Sequence, residues 1–279
     1  MSTPLQVARP SFWSIWANRG FRSLFPASTA ALIFLIVFPQ LLLVSLAVSE
    51  TFDLRYGILP QGFSLDQFRQ WGNVILKSMW TSLAITIPTV IFALLIGTPV
   101  AYALARLDFT GRAWVIELVN LPMVFPPIVL AFGLFQLMRS GMLPNMPSWV
   151  MLVLAHTVVA TPFVVRPLLV AMQRLDPALE EASLSLGATR MRTFMTVYLP
   201  LLLPSLLIGI ALAFARSISD FEITLLLVGG DLSTLPITIY HAFETGSSRL
   251  GAAVAVTANV FALAVIISLE SAVKRVKWW

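Results

Sequence analysis

The chain has 279 residues, of which 58% are apolar and only 11% charged, against about 45–50% and about 25% in a soluble domain. With a mean hydropathy of +0.88, these values argue against soluble globular and disordered classes, and the absence of cysteine excludes a disulfide framework or a thiolate metal site. The 18 basic residues against 13 acidic ones give a pI near 10.1, a balance that membrane topology explains without nucleic acid as a partner.

Six apolar runs are long enough to cross a hydrocarbon core, which takes about 20 helical residues. They are expected at residues 24–48, 79–105, 114–138, 148–171, 200–228 and 250–273. Backbone polar groups find no water in lipid, and the runs lack the alternation of a barrel, so the expected fold is all-α and polytopic. The first run follows basic residues and is trailed by Ala47-Val48-Ser49, like a secretory signal. It is too long for a cleavable core of about 7–15 residues and reads as a retained span. Residues 1–23 then form an inner segment, 79–273 a core of five spans, and 274–279 an inner tail. With the N-terminus inside, the inner segments together with Arg166 of the fourth span hold twelve basic residues and the outer ones five, Arg216 lying within the fifth span. This bias places both termini in the cytoplasm. Trp13, Trp16, Trp278 and Trp279 fall near the inner interface.

The only sizeable inner polar stretch is residues 172–199. Asp176-Pro177 supplies a cap and a proline at the first helical position. Glu180 and Glu181 suit the positive end of the helix dipole, and Gly187 supplies a left-handed stop. A helix is expected over 177–186, with Ala178, Ala182, Ser185 and Leu186 sharing one face. A second short helix should run from Thr189 into Leu199-Pro200. A simple turn between helices needs only about 2–8 residues.

Glu181-Ala182-Ser183, three residues, Gly187, nine residues, then Val197-Tyr198-Leu199-Pro200 resembles the EAA motif of bacterial ABC importer permeases, E-A-A-x3-G-x9-I-x-L-P. Ser183 stands for the second alanine and Val197 for the isoleucine. The resemblance implies a type I permease fold in the inner (cytoplasmic) membrane, with residues 172–199 as the loop coupled to a separate ATPase. Its coupling residues would be Glu180, Glu181, Ala182, Ser183, Gly187, Leu199 and Pro200. It further implies two ATPase copies, a second and different permease chain, an extracytoplasmic solute-binding protein and surrounding lipid as partners. ATP and Mg would belong to the ATPase, leaving this chain with no cofactor and no enzymatic activity. The chain contains no Gly-Lys dipeptide, hence no phosphate-binding P-loop.

Within the spans, a mid-membrane charge costs about 2.5–3.5 kcal/mol on insertion scales. Arg216 and Asp220, four residues apart, share a helical face, and Ser219 and Glu222 extend a polar patch. It reads either as the lining of a translocation path or gate or as a self-neutralising ion pair, and nearby Ser217 and Ser219 favour a wet face. His156 and Asn259 read as interhelical hydrogen-bonding residues. Pro122, Pro126 and Pro127, with Pro88 and Pro99, should kink or break helices.

Ser219-Asp220-Phe221-Glu222, Val228-Gly229-Gly230-Asp231 and Thr234-Leu235-Pro236-Ile237 resemble permeases of polyamine, 2-aminoethylphosphonate and ferric-iron importers. Acids in this outer stretch, Glu222 and Asp231 among them, suit a cationic solute, so spermidine or putrescine is the expected cargo. An ion-coupled secondary transporter would need mid-membrane coupling carboxylates and commonly internal repeats, neither of which the chain displays.

Overall fold

The computed structural model describes residues 19–51, 61–141, 146–228 and 232–275. Trp13, Trp16, Trp278, Trp279, Gly229, Gly230 and Asp231 lie outside the described residues.

Helix α1 (Arg19–Val48) leads into a two-stranded antiparallel ribbon, β1 (Ser49–Thr51) and β2 (Gln61–Phe63), with Ser49 opposite Phe63. Then follow α2 (Asp66–Gln70), α3 (Gly72–Arg106), α4 (Arg112–Val124), α5 (Pro127–Arg139) and α6 (Ser148–Arg174). The loop helices α7 (Ala178–Ser185) and α8 (Arg190–Thr193) come next. A π turn (Phe194–Tyr198) joins α8 to α9 (Leu199–Ile218). The chain closes with α10 (Glu222–Leu227), α11 (Leu235–Glu244) and α12 (Ser248–Arg275).

Among the described residues five helices are long and apolar enough to cross a membrane, and α4 with α5 makes a sixth when the bent pair counts as one span. The third run, expected over 114–138 with prolines that should kink or break it, is two helices bent by 99°. Phe125 is extended, as a residue before proline prefers, and Pro126 and Pro127 provide no N–H to continue the ladder. α6 contains Pro162 and Pro167 yet remains one helix, clamped by neighbours that bury most of its length.

The centre of the bundle is α3, α6 and α9. Lipid offers no hydrophobic drive between helices, so close van der Waals contact must hold them, and small residues permit it. A side chain at Gly97 of α3 would come within 3.1 Å of Val164 Cγ1, and one at Gly209 of α9 within 3.3 Å of the Val164 backbone. Around this seam, Ala101, Leu104, Leu168, Met172, Tyr198 and Leu202 are fully buried. α1 packs against α12 and little else, where Asn259 Nδ2 donates to Gln40 Oε1 at 2.8 Å. The expected interhelical role of Asn259 is therefore observed.

The π turn accommodates Pro200. A proline ring collides with the carbonyl four residues back in a regular helix, and one extra residue in the preceding turn relieves the clash. The fifth run was expected to be helical over 200–228, but α9 stops at Ile218 and α10 begins at Glu222. Asp220 is the cause, because its carboxylate takes backbone amides that a continuous helix would commit to carbonyls.

Candidate functional site

Two polar clusters sit at opposite ends of the bundle. At the inner end, as assigned by the basic residues, the loop helix α7 is capped on both sides by its own sequence. Asp176 Oδ1 accepts from the Ala178 amide at 2.9 Å. At the other end Gly187 has φ +83°, and the Gly187 and Ala188 amides donate to Leu184 and Ser183 carbonyls at 2.9 and 3.2 Å. This is a Schellman stop. The helix runs over Ala178–Ser185, one residue shorter at each end than expected. Thr189 then caps α8 by accepting from the Arg192 amide at 3.3 Å.

The loop is pinned to the spans through Glu180. Its Oε1 accepts from Tyr102 Oη of α3 at 2.8 Å, and its Oε2 from Tyr198 Oη of the π turn at 2.9 Å. The two tyrosine rings meet edge to face at 6.1 Å. Arg106 lies with its guanidinium 5.3 Å from the Tyr198 ring centre and donates through Nη2 to the Leu175 carbonyl at 2.9 Å. One carboxylate thus joins three segments that are distant in sequence. Ser183, where the motif has alanine, shares a 2.9 Å hydrogen bond with Thr193 and ties α7 to α8. Glu181 and Ala182 are exposed, as is Pro200, and Leu199 is half-buried at the start of α9. Leu186 is 89% and Met191 66% exposed, so apolar side chains project from a polar loop. Between the loop and the end of α3 lies a cleft of about 360 Å³ lined by Tyr102, Arg106, Asp108, Glu181 and Arg190.

At the outer end the centre is Asp220. Its Oδ2 accepts from Arg216 Nη1 at 2.7 Å, and Oδ1 from the amides of Ile223 and Thr224 at 3.0 and 3.3 Å. His156 of α6 stands beside it, with Nε2 3.2 Å from Thr224 Oγ1 and 3.7 Å from Asp220 Oδ1. His156 Nδ1 is 3.0 Å from Ser217 Oγ, which donates to Thr86 Oγ1 at 3.2 Å. The interhelical hydrogen bonds expected of His156 are present. Ser78, Ser82 and Thr86 recur every four residues along one face of α3, Thr86 bonding to α9 and the two serines holding the outer segment. Ser78 Oγ is 2.6 Å from Thr238 Oγ1, and Ser82 Oγ accepts from the Leu235 amide at 2.9 Å. Residues 220–228 and 232–238 are thereby folded back against the spans.

Of the residues expected on a translocation path, the structure brings together Arg216 and Asp220. Asp220 is buried, with 3% of its side chain exposed, so its charge is spent on Arg216 and the amides rather than offered to a wet face. Ser219 is exposed and bonds back to the Ala215 carbonyl at 2.6 Å. Glu222 is exposed in the first turn of α10, where the dipole suits it, and forms no ion pair among the described residues. Asp231 is not described. Glu244 is engaged by Tyr240 Oη at 2.5 Å and by His241, and that hydrogen bond holds the Tyr240 phenol above its ordinary pKa. Sequence reasoning missed Tyr102, Tyr198, Thr193, Ser82 and Thr86. The four-residue spacing of hydroxyls on α3 was a readable signal; the tyrosines gave none, because their partner is remote in the chain.

The family model described as "Binding-protein-dependent transport system inner membrane component" matches residues 93–277. The chain is 35% identical over 66% of its length to the molybdenum transport system permease protein ModB of Escherichia coli (strain K12), covering 84% of that protein. It is 28% identical over 94% of its length to the putative 2-aminoethylphosphonate transport system permease protein PhnV of Salmonella typhimurium, covering 98% of it. Among solved structures, a bacterial alginate ABC transporter in complex with alginate-bound periplasmic protein matches with a TM-score of 0.71 at 19% identity, over 95% of each chain. The inward-facing MetNI methionine ABC transporter matches with a TM-score of 0.59 at 21% identity, over 75% of this chain and 99% of that one. Neither of these two sequence relatives is named for polyamines, and of the outer acids Asp220 and Glu244 are already engaged within the chain. The polyamine assignment is therefore withdrawn. The matched model and the ModB relatives together show that the chain belongs to the family of binding-protein-dependent transport system inner membrane components, as an ABC importer permease subunit.

Proposed function

We propose that this permease couples ATP hydrolysis on a separate subunit to import of a solute bearing a tetrahedral oxyanion. The observation that carries the coupling half is the Glu180 clamp. A helix capped at both ends is fixed to α3 and the π turn by one carboxylate, while Leu186 and Met191 stay bare toward the cytoplasm. A bare apolar surface on a rigid loop suits docking by another protein. In this reading two ATPase copies seat on residues 172–199 of this chain and of a second permease. An extracytoplasmic binding protein delivers solute to the outer segment, 220–244, and the chain itself performs no chemistry.

The cargo half rests on the relatives. Molybdenum in neutral water is the tetrahedral dianion molybdate, and 2-aminoethylphosphonate carries a tetrahedral phosphonate. Both present negative oxygens in the same geometry, which arginine forks recognise well. The test is reconstitution with the ATPase, second permease and binding protein in liposomes. Molybdate or 2-aminoethylphosphonate should stimulate ATP hydrolysis and accumulate inside, and spermidine should do neither. Stimulation and uptake with spermidine alone would refute the oxyanion reading.

A further inference from the structure

Arg166 is a cation inside an apolar span, with no acidic partner among the described residues. It interrupts the run Pro162-Phe163-Val164-Val165 and Pro167-Leu168-Leu169-Val170 of α6. Its Nε donates to Asn120 Oδ1 of α4 at 2.9 Å, and no acid lies within ion-pair distance among the described residues. The side chain is exposed on this chain, and its two Nη groups keep their N–H donors without a protein acceptor among the described residues. At about 1.5 Å per residue, Arg166 lies about 12 Å from the inner end of α6, and Asn120 about the same from the start of α4. Both depths fall within the inner half of a span.

The neighbouring helix supplies an independent observation. α4 ends where the chain turns by 99° through Phe125 and Pro126, and Val124 and Phe125 are 78% and 51% exposed. The two prolines leave carbonyls in the last turn of α4 without helical donors. Lipid supplies none, and non-helical backbone at membrane depth is tolerated only against protein or a water-filled cavity. This flank of the chain, with Arg166 and Asn120 below the break, therefore faces a cavity or a partner rather than hydrocarbon.

We propose that Arg166, oriented by Asn120, is a contact for the transported oxyanion on the inner half of the path. Asn120 holds Nε, which leaves the paired Nη donors directed outward as a fork for two oxygens of one tetrahedral group. Glu117, exposed on α4, makes no ion pair with Arg166 and so does not occupy the fork. A lipid phosphate offers the same chemistry, so the source of the oxyanion has to be separated by experiment. The inference rests on the oxyanion cargo proposed above.

The complete importer is reconstituted in zwitterionic vesicles and in vesicles with added anionic lipid, with molybdate and 2-aminoethylphosphonate as probes. Arg166→Gln should lower uptake about tenfold in both lipids and lower the ratio of solute imported to ATP hydrolysed. Arg166→Lys, which keeps the charge but loses the fork, should recover part of the ratio, and Asn120→Ala should fall between. A loss confined to anionic vesicles assigns the contact to lipid phosphate and overturns the proposal. Uptake at the wild-type level in both lipids overturns it as well. Equal loss of uptake and hydrolysis in the Gln and Lys variants, with the ratio unchanged, shows a structural role and overturns it too. A wild-type complex that imports neither probe fails the oxyanion cargo itself, and that result is read before any variant.

Discussion

The two ends of the bundle are each organised by one carboxylate, and the two carboxylates work differently. Glu180 is half-buried and accepts from two neutral tyrosines on elements that fold without it. Asp220 is buried and holds a cation and two backbone amides, so the break between α9 and α10 exists because of it. The first joins finished parts; the second is itself part of the fold. Loss of Asp220 should therefore damage the chain, whereas loss of Glu180 should damage communication between parts of it.

The largest expected effect is at Asp220. Asp220→Ala strands Arg216 and unties the start of α10, and removing one partner of a buried pair costs about 3–5 kcal/mol. Arg216 keeps 23% of its side chain exposed, so the lower figure applies. Purified yield and thermal unfolding in detergent should fall sharply, and the double change with Arg216→Ala should be milder than Asp220→Ala alone. Strictly additive losses would break the contrast, since Asp220 would then act without its cation.

Gly187→Val comes next. A β-branched residue at a left-handed position costs about 1–2 kcal/mol, and nothing surrounds the site to clash with the new side chain. Strain is thus confined to the stop, which should redirect α8 while the spans stay folded. Unchanged melting with reduced uptake and reduced binding-protein-stimulated ATPase is the expected result.

Glu180→Gln should have a smaller effect on stability and a clear one on coupling. Hydrogen bonds to a charged acceptor contribute about 1.5–3 kcal/mol, but here they are partly solvated and the amide keeps one acceptor oxygen. Tyr102→Phe and Tyr198→Phe should each reproduce part of the defect, and the pair together most of it. Melting that drops as far as in Asp220→Ala would remove the distinction between the two carboxylates.

The smallest effect belongs to Ser183→Ala, which restores the alanine of the motif and removes only the hydrogen bond to Thr193. A neutral hydrogen bond contributes about 0.5–1.5 kcal/mol, and transport should stay close to wild type. A large loss would show that α7 is held by Ser183 and not by the Glu180 clamp.

What could be read from the sequence follows this same division. The loop was legible because its signals are local: Asp176, Glu180 and Gly187 lie within twelve residues and act on the same short helix. Span positions were legible because burial in lipid demands long apolar runs. The bend between α4 and α5 was half legible, since Pro122, Pro126 and Pro127 announced a break, but α6 carries two prolines and does not break. Composition does not separate the two cases; packing on both sides of α6 does. Asp220 was recognised as a partner for Arg216 but not as the end of a helix, because its second job depends on amides that become free only once the chain has turned. The Glu180 clamp was invisible for the same reason, with Tyr102 lying 78 residues away.

The glycine seam of α3, α6 and α9 bears on how the two ends can affect each other. Gly209 meets the Val164 backbone directly, and at Gly97 only the short Val164 and Val165 side chains intervene; packed interiors of this kind yield little under load. The three helices then behave as a stiff beam rather than as a cushion. Helix α9 alone gives that beam a length of about 30 Å at about 1.5 Å per residue. A small tilt imposed where Glu180 grips Tyr102 is then carried along α3 as a sideways displacement where Ser82 and Ser78 grip the outer segment.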